Sequence, residues 1–155
     1  MRNTEKRKKI SIGVEDFKEI IDKDGYFVDK TLMIQELLES NAKVILFTRP
    51  RRFGKTLNQF MIRRFFEDEI TEKGEKVDNS YLFDGLAITR CGEEIMQHQQ
   101  RYPVIFMSLK SAKQDSYDMA YASLIDEISK EFKRHAYLLQ GESLSPKEKQ
   151  EFQLV

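Results

Sequence analysis

The segment Lys43-Val44-Ile45-Leu46-Phe47-Thr48 is a nearly continuous apolar run, and Pro50 ends it within two residues. Its length and β-branched content predict a strand buried on both faces, the kind found in parallel sheets. A helix is predicted to begin near Gly54, because Leu57, Phe60, Met61 and Phe65 recur at helical spacing. Strand, tight turn and helix in immediate succession leave few folds open. A second buried-strand candidate is Pro103-Val104-Ile105-Phe106-Met107-Ser108-Leu109, with proline at its first position, where a missing N–H does least harm.

The remaining elements follow from periodicity and punctuation. Val14 to Asp22 reads as a short helix with Phe17, Ile20 and Ile21 on one side, closed by Gly25. Asp29 suits the N-cap of a helix carrying Leu32, Met33, Leu37 and Leu38. Glu69 to Ser80 reads as a polar loop and Gly92 to Gln100 as a short polar helix. The strongest stripe is Tyr117, Tyr121, Leu124, Ile125, Ile128, Phe132 and Leu139, with Asp115 or Ser116 as its cap and the stripe expected to face a core. Ser145-Pro146-Lys147-Glu148 carries the signals of one more helix start: a capping serine, a first-turn proline and a capping-box glutamate. That helix has room for barely two turns before Val155, so the expectation is a domain incomplete at its C-terminus.

Composition narrows the chemistry. With 40% hydrophobic residues, 11 Phe and 6 Tyr, the chain belongs among globular proteins. Its net charge is zero, so attraction to nucleic acid or acidic lipid must come from local clusters. One cysteine, Cys91, excludes an internal disulfide and reads as an ordinary thiol. Two histidines make a zinc site built by this chain improbable, and His135 reads as a surface or satisfied residue. No apolar run approaches the ~18 residues of a membrane-spanning helix, and Ile10 to Val14 is too short for a signal-peptide core. The expectations are a basic disordered tail over residues 1–9, no membrane partner and a cytoplasmic location.

The segment with chemical content is Arg49-Pro50-Arg51-Arg52-Phe53-Gly54-Lys55-Thr56. A helix N-terminus offers backbone N–H groups and the positive end of its dipole to an anion. Gly54 lets the backbone approach without a Cβ, Lys55 can reach the β and γ phosphates, and the Thr56 hydroxyl can ligate Mg²⁺. The generic G-x-x-x-x-G-K-[ST] pattern is not fully met, because Arg49 stands where the first glycine belongs. On that pattern alone, Gly-Lys-Thr could equally be a capped turn.

The loop is similar, letter for letter, to that of the bacterial and archaeal AAA-ATPase-like family, where an arginine takes the first glycine's place. Ile12-Gly13-Val14-Glu15-Asp16-Phe17, Tyr26-Phe27-Val28-Asp29-Lys30-Thr31, Asp78 to Leu86 and Tyr102 to Lys110 resemble further blocks of that family. The likeness runs from about Ile10 to His135. It implies an α/β fold, a three-layer P-loop NTPase core with a largely parallel sheet, of which 10–155 is the N-terminal portion. It also implies ATP and Mg²⁺ as ligands of residues 49–56, with Thr56 on the metal. Family members often continue into a C-terminal domain resembling nucleases, so nucleic acid is an implied partner of the longer protein.

Hydrolysis needs a carboxylate on the metal and a group that orients water. Leu124-Ile125-Asp126-Glu127 is the nearest match to a strand-borne acidic pair, but it falls inside the long helical stripe, so Asp126 and Glu127 read as solvated helix residues and no catalytic residue is assigned. Two other functions stay open. Arg51, Arg52, Arg63 and Arg64 could bind nucleic acid as a basic patch, although Arg63 and Arg64 could instead pair with Glu67 and Asp68. The loop could also belong to a non-hydrolysing interaction scaffold. Asp29-Lys30-Thr31 either caps a helix or lies beside a nucleotide base. An uncovered sheet edge would favour self-association.

Overall fold

The computed structural model describes residues 8–71, 73–141 and 144–154. These residues are helical and contain no β-strand. Three isolated bridges stand in place of a sheet: Lys9–Gly25, Glu67–Tyr102 and Ile70–Lys76. The expected three-layer core with a parallel sheet is therefore corrected. The chain divides into two compact units, Met1–Glu67 with Asp78–Tyr102, and Asp68–Val77 with Pro103–Val155.

In the first unit, α1 (Phe17–Asp22), α2 (Leu32–Glu39), α3 (Lys55–Phe66) and α4 (Glu93–Met96) surround two single-turn segments, Ser80–Phe83 and Ala87–Arg90. Met61 and Phe65, one helical turn apart on α3, bury fully against Phe17, Ile34, Leu82, Phe83 and Ile88. Phe83 sits at the centre, with Phe17 and Phe65 at ring-centroid distances of 5.2 and 5.3 Å. Such aromatic packing adds to the area that the rings remove from water. Two ion pairs lock α3 on its other face: Arg63 Nε to Glu67 at 2.7 Å and Arg64 to Asp16 at 3.1 Å. Arg64 thus pairs with Asp16, the residue whose side chain caps α1, rather than with Asp68. At the other end of the unit, Lys8 pairs with Asp24 and the Lys9 carbonyl accepts from Tyr26 N–H. These two residues of the expected tail are engaged, and residues 1–7 lie outside the described set.

The predicted strand 43–48 is not a strand: it forms no bridge, and every residue in it is exposed, Val44 by 86% and Leu46 by 82%. A strand needs a neighbour for its backbone groups, and no described segment pairs its backbone with this one.

The second unit holds α5 (Tyr117–Arg134), α6 (Pro146–Gln153) and the turns Leu109–Ala112 and Ala136–Leu139. Ser116 caps α5 by accepting from Met119 N–H, and Ser145 and Glu148 complete the reciprocal box at the start of α6. The apolar stripe of α5 is not buried as expected: Tyr117, Tyr121, Ile125 and Ile128 are exposed, and the buried residue of this helix is Glu131. The reason lies in the predicted strand 103–109. Its alternate backbone groups are held by α5 side chains: Ser108 N–H donates to Glu127 at 3.2 Å and Phe106 N–H to Glu131 at 2.8 Å. The Val104 carbonyl accepts from Arg134 and from His135 Nε2. Side chains spaced one turn apart on a helix satisfy the edge that a neighbouring strand would otherwise take.

Candidate functional site

Residues 49–56 form the turn that leads into α3. Arg52 and Gly54 both adopt left-handed backbone conformations, with φ of 68° and 73°. Glycine tolerates this freely, whereas an arginine there costs roughly 1–2 kcal/mol. A Cβ on Gly54 would meet nothing within 4 Å, so conformation rather than space selects glycine in this structure. Gly54 is also the N-cap of α3; no side chain caps that end, and its first turn has no acidic residue. The N–H groups of that turn, left over by helix geometry, give the loop its anion-attracting character.

Lys55 Nζ donates to the Arg49 carbonyl and closes the loop on itself, while Arg49 Nη1 donates to the Thr48 carbonyl at 3.1 Å. Among the described residues, the side chains of Arg51, Arg52 and Phe53 make no hydrogen bond or ion pair, and all three are exposed. Thr56, the second residue of α3, is half-buried. From Ser40 to Phe66 the sequence contains no Asp or Glu and seven cations: Lys43, Arg49, Arg51, Arg52, Lys55, Arg63 and Arg64. Arg63 and Arg64 are neutralised by Glu67 and Asp16, and among the described residues no carboxylate pairs with Lys43 or with the cations of the loop. The structure brings Arg49 and Lys55 into contact and sets Arg51 and Arg52 free in solvent.

An uncapped helix start with unopposed cations fits the charge and hydrogen-bonding demands of a polyphosphate. For a divalent cation the fit is narrower. No group of three or more His, Cys, Asp or Glu among the described residues could hold a metal, so the loop itself offers the Thr56 hydroxyl, with phosphate oxygens and water left to complete the shell.

Asp29 and Thr31 do a different job from helix capping. Asp29 Oδ1 accepts from the Thr31 N–H at 2.9 Å and hydroxyl at 2.7 Å, and Oδ2 accepts from Ala87 N–H at 2.7 Å. The Thr31 oxygen in turn accepts from Ile88 N–H at 3.1 Å. These bonds tie the start of α2 to the Ala87–Arg90 turn. Burial pushes the Asp29 carboxyl upward, but its bonds to Thr31 and Ala87, with the nearby Arg90 charge, outweigh burial and hold it below the ordinary range.

The acidic pair in α5 is committed to local bonds. Asp126 pairs with Lys130 at 2.6 Å, and Glu127 accepts from Ser108 N–H rather than lying free in solvent. His135 is buried, with its ring nitrogens against the Val104 carbonyl and the Tyr137 hydroxyl. The Cys91 thiol rests against Gln35 Oε1 at 3.1 Å.

The chain belongs to the family described as Predicted AAA-ATPase, whose model matches residues 11–154. It is also 35% identical over 103 residues to an uncharacterized protein in the vnfD 5′ region of Azotobacter chroococcum mcd 1. That match covers 66% of this chain and 17% of the relative, so the chain spans about a sixth of that protein's length. No solved structure matches the chain. No described helix is long and apolar enough to cross a membrane.

Proposed function

We propose that this chain is an ATP-binding segment of an AAA-type ATPase, with Arg49 to Thr56 as the phosphate loop and Mg²⁺ bound through Thr56. The observation that carries the reading is the position of Gly54-Lys55-Thr56 at the uncapped start of α3, inside a cationic loop that no carboxylate among the described residues neutralises. Lys55 would exchange its bond to the Arg49 carbonyl for one to phosphate. The reading assigns binding to this stretch, and not turnover, because Asp126 and Glu127 are spent on Lys130 and on the backbone of Ser108. ATP, when bound, supplies the phosphoryl group; the residues named here hold and orient it.

A basic patch for nucleic acid is the weaker reading, since Arg63 and Arg64 are taken up by Glu67 and Asp16. Equilibrium ATP binding to the parent chain and to Lys55→Ala tests the proposal. Loss of a charged hydrogen bond costs about 1.5–3 kcal/mol, hence a roughly ten- to hundredfold weaker affinity. Undiminished ATP binding by a folded Lys55→Ala chain would place the site elsewhere. Single-stranded DNA binding that ATP fails to displace would favour the basic patch.

A further inference from the structure

The segment 103–109 has two edges, and only one of them is engaged. The backbone groups of Val104, Phe106 and Ser108 face α5: the Val104 carbonyl accepts from Arg134 and His135, and the Phe106 and Ser108 N–H groups donate to Glu131 and Glu127. Engagement at every second residue, with Ser108 at φ −115° and ψ 120°, marks extended backbone. In such a backbone the N–H and C=O of the residues between point the opposite way. Those residues are Ile105 and Met107, and among the described residues none of their backbone groups makes a hydrogen bond. Their side chains are exposed, Ile105 by 75%, and they line an apolar groove with Ile128, Phe132 and Phe152. Natural edges are commonly blunted by a charge or an interior proline, and Val104 to Leu109 contains neither.

We propose that this edge is an interface between two copies of the chain, in which 103–109 pairs antiparallel with the same segment of a second copy about a two-fold axis at Phe106. Donors and acceptors that alternate at strand spacing are matched by another extended backbone, not by a helix face or a small molecule. The same segment provides that match in both directions. With the axis at Phe106, Ile105 of one copy lies opposite Met107 of the other, and each such pair exchanges both of its N–H···O bonds. Every Ile105 and Met107 group left open in either copy is then satisfied. On the groove face the Ile105 and Met107 side chains of the two copies meet as apolar cross-strand pairs, and the two Phe106 rings meet on the opposite face. Pro103 at one end and the Leu109–Ala112 turn at the other limit how far the register can slip. The other exposed apolar run, 43–48, differs in sequence, so pairing with it would be head-to-tail and would not close, whereas the two-fold pair closes on itself. Two short segments bury little surface, so the dimer is weak and reversible.

The test combines sedimentation with amide hydrogen exchange on the full chain. The parent should show a reversible monomer–dimer equilibrium with a Kd between roughly 1 μM and 1 mM. As concentration rises through that range, exchange at Ile105 and Met107 should slow, whereas Phe106 and Ser108, already bonded within one copy, should change far less. Ile105→Lys sets a charge at the centre of the interface and should weaken the dimer roughly tenfold or more. Leu46→Lys, in the other exposed run, should leave it as in the parent. Ile105 is exposed, so the circular dichroism spectrum of Ile105→Lys should match the parent's, and the exchange pattern is read on the parent alone. A parent that stays monomeric up to ~1 mM would overturn the proposal. So would a dimer that survives Ile105→Lys or is lost in Leu46→Lys, or open-ended polymers in place of a dimer. Ile105 and Met107 amides already protected where the chain is monomeric would do the same, because the edge would then be covered from within one copy.

Discussion

Replacing Thr31 with valine keeps its volume and removes one oxygen at a fully buried position. The Thr31 hydroxyl donates to Asp29 Oδ1 at 2.7 Å, and its oxygen accepts from Ile88 N–H at 3.1 Å. The variant therefore loses a hydrogen bond to a charged carboxylate, worth about 1.5–3 kcal/mol, and leaves a buried N–H without a partner, at a cost of about 1–3 kcal/mol. Relaxation around the site and sharing between the two bonds bring the expected loss to roughly 2–4 kcal/mol rather than the full sum. A small domain holds only about 5–15 kcal/mol in total, so the effect is large. Urea unfolding is the assay: with a slope of about 2 kcal/mol/M, the midpoint should fall by about 1–2 M. Thr31→Ser keeps the oxygen and should lose much less, about 1 kcal/mol for one buried methyl. A Thr31→Val midpoint within ~0.2 M of the parent would refute the claim that this hydroxyl joins α2 to the Ala87–Arg90 turn.

Four further outcomes follow from the same geometry. Glu131→Ala should cost roughly 2–4 kcal/mol, because it strips a buried acceptor from Phe106 N–H and a partner from Arg134; hydrogen exchange at Phe106 should accelerate, whereas Asp126→Ala, an exposed pair, should leave the unfolding midpoint unmoved. Gly54→Ala should lose about 1–2 kcal/mol by conformation alone, read from urea unfolding, since no atom obstructs the new Cβ. Asp29 is held below its ordinary carboxyl range, so its stabilising contribution is complete above the ordinary value near 3.8 and disappears as pH falls through the depressed one; melting temperatures of the parent and Asp29→Asn should differ at pH 6, and the difference should start to shrink only once pH falls below the ordinary value. Thr56→Ala should weaken ATP binding more with Mg²⁺ present than without it, as measured by paired titrations, and equal losses would remove Thr56 from the metal shell.

Local signals were legible in the sequence wherever they depended on a few adjacent residues. The cap at Ser116 and the reciprocal box of Ser145 and Glu148 follow from side chains that satisfy backbone groups within one turn. The start of α3 near Gly54, which no side chain caps, follows instead from the apolar spacing of Leu57, Phe60, Met61 and Phe65. The apolar runs 43–48 and 103–109 read as buried strands, and neither is one: 43–48 is exposed and unpaired, and Leu109 already belongs to the Leu109–Ala112 turn. Periodicity reports which side chains dislike water; it does not say whether another backbone lies alongside. For 103–109 the partner is a helix edge, and the signal for it is polar: Glu127, Glu131 and Arg134 of α5, with His135 at its end, lie beside the apolar stripe rather than within it. Arg64 shows the same limit, because its partner Asp16 is 48 residues away, whereas Asp68 is nearer in sequence. The candidate loop was legible as residue types, and the tethering of Arg49 and Lys55 that leaves Arg51 and Arg52 free required coordinates.

Residues 49–56, on the function proposed above, hold the phosphates of ATP. The most direct test is a titration of isotopically labelled full chain with ATP and Mg²⁺, followed by backbone amide resonances. The N–H groups that open α3, at Lys55, Thr56 and Leu57, together with those of Arg51 to Gly54, should shift first and furthest and should saturate with one common affinity. Saturable binding that moves amides elsewhere and leaves Arg51 to Leu57 untouched would contradict the account.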